Sequence, residues 1–230
     1  MTQRQDKFVK LDGFMLDDWA SAFLAYANAR DADLVDVHGY GVDEPYATNN
    51  DGPQTCGHIY FDDGDEFLAG LSAAFLENFE YGCRQCGVEP FEIAHFESKL
   101  TLRWDNQRFD WHSDHRADGD PETRALTVTY NVHKTPRLFT GGELELYDVE
   151  KPIDPTHNSA VFFAPYQVHR VRPVAGVPRA HRSFGRWTFV GWFHAKEPVV
   201  PAMLLDPHDP HPFLTSTLAR KRLFSEASTR

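Results

Sequence analysis

Cysteine is scarce in this sequence, as are unbroken apolar runs and clusters of basic charge, and each shortage removes a class of protein. Only three cysteines occur among 230 residues. They cannot all pair within one chain, so a disulfide-built secreted scaffold is excluded. Cys83-Arg84-Gln85-Cys86 has the CxxC spacing of zinc and redox sites. A zinc centre would need two more soft ligands, and Cys56 is the one cysteine left to supply them, so free thiols at a helix end are expected. No apolar run approaches the roughly 18 residues of a membrane span, and the stretch from Met1 to Lys7 lacks the apolar core of a signal peptide. Lys and Arg number 23 against 34 Asp and Glu, a net charge of −11, with no dense basic segment. That balance argues against a nucleic-acid surface or an anionic membrane as partner and favours a neutral or cationic substrate. A cytoplasmic protein is the expectation.

What is present suits one core. Hydrophobic residues make up 41% of the chain, and single mainly β domains run to this length. The expected division is a single domain over 1–230: helical support and a loop in 1–90, a β core in 91–195 and a tail in 196–230. From Leu16 to Arg30 the apolar positions Leu16, Trp19, Phe23, Leu24 and Tyr26 fall at helical spacing, with Asp17 and Asp18 at the positive end of the dipole. Val42 to Gly57 is rich in turn formers and reads as a long loop able to line a binding site. A second helix is predicted from about Asp65 to Tyr81, with Phe67, Leu68, Leu71, Phe75, Leu76 and Phe79 on its apolar face.

After Pro90 the texture turns to short β-branched and aromatic runs between Gly, Pro and Asp. The β part is expected to begin there, with strands over 92–104, 109–114, 126–133, 143–147, 159–163, 169–174 and 186–194. Seven short strands imply a sandwich or jelly roll. The stretch from Pro198 onward holds five prolines before Leu214 and reads as a surface-wrapping tail ahead of a short basic helix. No internal repeat or low-complexity segment is present.

The chemistry gathers around Phe109-Asp110-Trp111-His112-Ser113-Asp114. In an extended segment residues two apart share a face, so His112 and Asp114 could reach one metal ion together while His115 faces the other way. A second imidazole from a distant strand would complete two histidines and one carboxylate with open positions, the set typical of non-haem Fe(II) oxygenases. His169 is the candidate. Phe139-Thr140-Gly141-Gly142-Glu143-Leu144 reads as a tight Gly-Gly turn opening a strand. On the strand from Arg186, Arg186, Thr188 and Val190 share one face, where the arginine could grip a carboxylate in bidentate fashion with a hydroxyl beside it.

Phe-x-x-His-x-Asp, Arg124-x-Leu-Thr-Val-Thr-Tyr130, Phe-Thr-Gly-Gly-Glu-Leu, His169-x-Val-x-Pro-Val, and Arg186 six residues before Trp192 follow one another in order. Together they resemble the prolyl-hydroxylase-like branch of the Fe(II)/2-oxoglutarate-dependent dioxygenases over roughly 109–194. The resemblance implies a mainly β fold with flanking helices, a double-stranded β-helix (jelly roll, cupin-like). It implies Fe(II) on His112, Asp114 and His169, and 2-oxoglutarate with its distal carboxylate on Arg186 and Thr188. It also implies O2 as oxidant, ascorbate as an accessory reductant, and hydroxylation of a small molecule, amino acid or peptide with release of succinate and CO2. The oligomeric state is left open. The spacing from His169 to Arg186 exceeds that of close relatives, so Arg179 is a rival anchor and Arg182 a lesser one. A carboxylate-binding tyrosine of many relatives falls at Asn131 here, or at Tyr130 if the strand slips by one residue. Related halogenases have Gly or Ala at the position of Asp114, so the intact aspartate points to hydroxylation or another oxidation.

Plainer roles are expected elsewhere. His38, His58, His95, His133, His157, His181, His194, His208 and His211 read as structural or surface residues. Trp111, Trp187 and Trp192 read as core, Arg124 as an ion-pairing group, and Arg116, Arg137, Arg170 and Arg172 as solvated surface positions in preference to contacts for an acidic substrate. A non-catalytic cupin-like sensor or binding barrel is the alternative from another class.

Overall fold

Along Arg124–Val132 the sequence alternates Leu126, Val128, Tyr130 and Val132 with Thr127, Thr129 and Asn131, and every residue from Ala125 on is buried. Such a strand must be covered on both sides, by an apolar layer on one and a polar interior on the other. In the computed structural model, which describes residues 8–38, 55–59, 61, 64–114, 123–147 and 149–197, this strand (β6) lies within a seven-stranded antiparallel sheet.

In chain order the strands are β1 (Phe8–Asp12), β2 (Val35–His38), β3 (Thr55–Ile59), β4 (Ile93–Arg103), β5 (Phe109–His112), β6 (Arg124–Val132) and β7 (Thr140–Gly141). They continue with β8 (Leu144–Leu146), β9 (Ser159–Phe163), β10 (His169–Val171), β11 (Val174–Ala175) and β12 (Arg186–Ala195). The large sheet runs β1-β9-β6-β12-β4-β3-β2, a smaller one runs β5-β10-β8, and β11 pairs with β7. This is the double-stranded β-helix expected from the sequence. The seven anticipated strands all form, within a few residues of their expected ends.

The β part does not begin at Pro90. β1, β2 and β3 precede it, and part of the expected loop, 55–57, lies in β3. These strands are too short to show a period. β1 is held by β9, some 150 residues on, through pairs from Phe8↔Phe163 to Asp12↔Ser159. Residues 42–54 of that loop, His115, Arg116 and the tail from Pro198 lie outside the described residues.

The helices cover one face of the large sheet. α1 (Asp17–Ala29) buries Ala20, Phe23 and Ala27, and α2 (Glu66–Glu77) buries Leu71 and Phe75. They meet Leu100, Leu102, Val128, Tyr130, Phe162, Trp187 and Phe189 in one core. The helix predicted over Asp65 to Tyr81 is two helices, since α3 (Phe79–Gln85) follows a break at Asn78. Asp65 caps α2 by accepting from the backbone N–H groups of Phe67 and Leu68 at 2.9 and 3.0 Å. Asn78 ends α2 because its side-chain amide donates to Ala74 O at 2.9 Å, turning the chain before α3.

Cys83 lies in α3 and Cys86 caps it. Both are buried, as is Cys56 on β3, and none of the three forms a disulfide. Burial pushes Cys83 and Cys86 up to about 12, the reverse of a metal or redox thiol. No helix among the described residues is long and apolar enough to cross a membrane.

Candidate active site

The opposite face of the large sheet is polar. Lys99, Thr101 and Arg103 of β4, Thr127 and Thr129 of β6, and Arg186, Thr188, Val190 and Trp192 of β12 line a cavity of about 310 Å³. The smaller sheet closes it with Phe109, His112, His169 and Val171, followed by Ser113 and Asp114. The volume is at the lower end for ligand pockets.

β5 and β10 pair antiparallel with His112 opposite His169, so two residues 57 positions apart in sequence become neighbours. One ligand atom each from His112, Asp114 and His169 lies within 4.8 Å of the others, and all three residues are buried. His112 Nε2 is 3.6 Å from Asp114 Oδ1, and His169 Nε2 is 3.7 Å from Asp114 Oδ2. These gaps are too long for hydrogen bonds. His112 Nε2 is buried without a hydrogen-bond partner, a cost that a bound cation would remove.

Each imidazole is fixed from behind. His112 Nδ1–H donates to Asp110 O and His169 Nδ1–H to Gln167 O, both at 2.8 Å, which leaves both Nε2 atoms with lone pairs facing the cavity. Phe109 stacks on His112 at 3.4 Å between ring centroids, and Phe163 meets His169 edge-on at 4.8 Å. Asp114 N–H donates to Pro165 O at 2.9 Å, while Thr127 Oγ1 donates to Asp114 Oδ2 at 3.0 Å. Burial, reinforced by His112, pushes His169 down to about 4, so its ring is neutral at neutral pH. Burial alone would raise Asp114, but the His169 and His112 rings hold it well below the carboxylate range. Two imidazoles and one carboxylate suit a divalent first-row metal such as Fe(II), and the residues fit it.

Along β6, Thr127 and Asn131 are four residues apart, about 13 Å at strand rise. The triad lies beside Thr127. At the other end lies Arg186, 3% exposed, with Nε and Nη1 buried and unpartnered. Burial, and next the neighbouring Arg103, push Arg186 down to about 9. The rival anchors lie elsewhere. Arg179 is exposed and paired with Asp36, and Arg182 pairs with Asp31 at 2.8 Å; neither lines the cavity. Asn131 stands opposite Thr188, whose hydroxyl donates to Asn131 Oδ1 at 3.3 Å. Tyr130 points to the helices, its hydroxyl donating to Asn158 Oδ1 at 3.0 Å. The strand register therefore places Asn131, and not Tyr130, on the Thr188 side.

Several plainer expectations need correction. Of the three tryptophans only Trp187 is pure core, donating from Nε1 to Asn28 Oδ1 at 2.9 Å. Trp192 is cavity wall, and Trp111 is partly exposed beneath the Arg170 guanidinium. Arg124 does form an ion pair, gripping Glu97 through Nε and Nη2 at 3.0 and 2.7 Å, but it also lines the cavity over the Trp192 ring. Arg170 and Arg172 both pair with Glu145, and Arg137 pairs with Asp154. Lys99 and Arg103 were passed over in the sequence. The available signal is two basic residues four apart, 99 and 103, and therefore on one face of the strand predicted over 92–104.

Residues 100–194 match the family model described as 2OG-Fe(II) oxygenase superfamily. An uncharacterised PKHD-type hydroxylase of Synechocystis is 32% identical over 124 residues, 49% of this chain; the match spans 40% of that relative's length. A prolyl-4-hydroxylase of Pseudomonas putida superposes with a TM-score of 0.58 at 22% identity, covering 84% of this chain and 94% of that one. A Trichoplax adhaerens prolyl hydroxylase, solved with a hypoxia-inducible-factor peptide fragment, gives 0.61 at 14% identity, covering 83% and 84%. Residues 100–194 are thus similar to the 2OG-Fe(II) oxygenase superfamily, and the fold is shared with the solved prolyl hydroxylases.

Proposed function

We propose that this protein is a 2-oxoglutarate-dependent Fe(II) dioxygenase that hydroxylates a small molecule, an amino acid or a peptide. The observation that carries the reading is a cavity holding three convergent donor atoms on His112, Asp114 and His169 and, farther along the same wall, a buried arginine whose Nε and Nη1 have no hydrogen-bond partner among the described residues. In this reading the Nε2 atoms of His112 and His169 and the carboxylate of Asp114 hold Fe(II), and Arg186 receives the distal carboxylate of 2-oxoglutarate. When bound, the metal and co-substrate supply the oxidation: one oxygen atom of O2 goes into a substrate C–H bond and the other into succinate as CO2 is lost.

The protein's own part is orientation and charge. Thr127 holds one oxygen of Asp114 so that the other is free to ligate. Thr188, whose hydroxyl bonds Asn131, stands two residues from Arg186 on the cavity wall, and Arg103, cross-strand partner of Arg186, adds a second guanidinium to that end. The walls formed by Phe109, Phe163, Val171 and Trp192 limit water around the metal position. A cytoplasmic setting belongs to this reading and is supported by three buried cysteines, none of them in a disulfide.

The test is anaerobic titration of the metal-free protein with Fe(II) and 2-oxoglutarate, watching the visible charge-transfer band of the chelate. Wild type and Arg179→Ala should develop the band at similar 2-oxoglutarate concentrations, while Arg186→Ala should need at least about tenfold more, the loss of a charged hydrogen-bonded pair. Folded wild-type protein that gives no band would overturn the dioxygenase reading.

A further inference from the structure

The cavity is cationic although the chain carries a net charge of −11. Lys99, Arg103, Arg124 and Arg186 line it, and among the described residues Asp114 is its one lining carboxylate. Arg124 is neutralised by Glu97. The other three cations have no ion pair among the described residues, and Arg103 Nε joins Arg186 Nε and Nη1 as buried and unpartnered. Glu143 lies close enough to Arg186 to offset part of its charge, without a hydrogen bond to it. The field reaches His58 across the β3–β4 pairing, where burial and then Lys99 and Arg103 push that ring down to about 3.

An uncompensated buried charge is expensive, so a site that keeps several holds them for an anion. Fe(II) would bring two positive charges, whereas Asp114 and Glu143 bring one negative charge each and 2-oxoglutarate two. Against the three unpaired cations, that leaves one positive charge unmatched among the described residues. Position shows which cation is left over. Along the β4–β12 pairing, Arg103 stands opposite Arg186, Thr101 opposite Thr188, and Lys99 opposite Val190. Lys99 is thus four residues from Arg103 on the same face, about 13 Å along the strand. Its ammonium sits 5.3 Å from the centre of the Trp192 ring. Trp192 is the cross-strand partner of Thr127, which holds Asp114. Lys99 therefore stands beside the reacting end of the cavity.

We propose that Lys99 reads a carboxylate on the primary substrate, so that the protein acts on a small organic acid bound together with 2-oxoglutarate. The inference rests on the function proposed above and reverses the substrate charge that the overall acidity suggests. Long-range acidity is screened within about 10 Å at ordinary salt, whereas these cations line the site itself, Arg103 and Arg186 buried and Lys99 half-buried. The Trp192 face supplies the apolar surface against which the carbon chain of such an acid would lie.

The experiment uses anaerobic protein saturated with Fe(II) and 2-oxoglutarate, with butyrate and its neutral isostere butyramide as probes at constant ionic strength, read by calorimetry and thermal melting. Wild type should bind butyrate at least about tenfold more tightly than butyramide. Lys99→Met should lose that preference and Lys99→Arg should keep it, with the affinity for 2-oxoglutarate within about twofold of wild type in both. Equal binding of the two probes by wild type, or a preference that survives in Lys99→Met, overturns the proposal. Failure of 2-oxoglutarate to bind at all is a separate result that overturns the dioxygenase reading instead.

Discussion

Thr127 shows how much of this site depends on single side chains behind the metal position. Its hydroxyl donates to Asp114 Oδ2 at 3.0 Å from a fully buried position. Thr127→Val keeps the shape and removes the donor, leaving a buried carboxylate oxygen unsatisfied. We expect Fe(II) affinity to fall about 10–100-fold, the usual effect of deleting a hydrogen bond behind a metal ligand. Anaerobic Fe(II) titration checks this, and unchanged affinity would make Thr127 a wall residue only. At this scale the sequence was informative where spacing carries chemistry. His112 and Asp114 two apart, and Arg186 two before Thr188, fall on shared faces because a strand has period 2. It was silent on Arg103 and Lys99, because a basic residue in a strand looks the same whether it faces water or a cavity.

At the level of elements, the Gly141-Gly142 turn ties the smaller sheets to the arginine end of the cavity. Both glycines have positive φ, +76° and +75°. A Cβ on Gly141 would lie 2.0 Å from Pro173 O, and one on Gly142 would lie 2.8 Å from Arg186 Cδ. Gly142→Ala would pay the left-handed backbone cost of about 1–2 kcal/mol and displace the Arg186 side chain. The expected outcome is that loss of stability in urea, a roughly tenfold weaker affinity for 2-oxoglutarate by calorimetry, and unaltered Fe(II) binding. Weakened Fe(II) binding instead would place the strain at the triad. The turn was legible because Gly-Gly before an apolar run has few other readings. The break at Asn78 was not, because the apolar spacing runs on through it and only the Asn78 amide reaching Ala74 O ends the helix.

For the whole molecule, a metal and co-substrate that bind only the folded state stabilise it by mass action. At 100 times Kd this amounts to about 2.7 kcal/mol, or roughly 5–10 °C in Tm for a chain of this size. Adding Fe(II) and 2-oxoglutarate without oxygen should raise the melting temperature by about that much, and a chelator should reverse it. His112→Ala should fold and show no increment with metal. An increment of wild-type size in that variant would remove His112 from the ligand set.

The sequence by itself determined the identity of the strands after Pro90, the covered face of the helices and the ordered motifs, because these are local: period, turn chemistry and spacing are written within a few residues. Tertiary structure decided what depends on distant partners. β1 exists because β9 pairs with it, and His169 meets His112 because β10 lies against β5. Arg186 rather than Arg179 faces the cavity because Arg179 is drawn to Asp36 at the surface. The sign of the cavity's charge, opposite to that of the chain, also emerged only in the fold. Net charge is a sum over all residues, whereas a buried site responds to the few that close packing leaves without a partner.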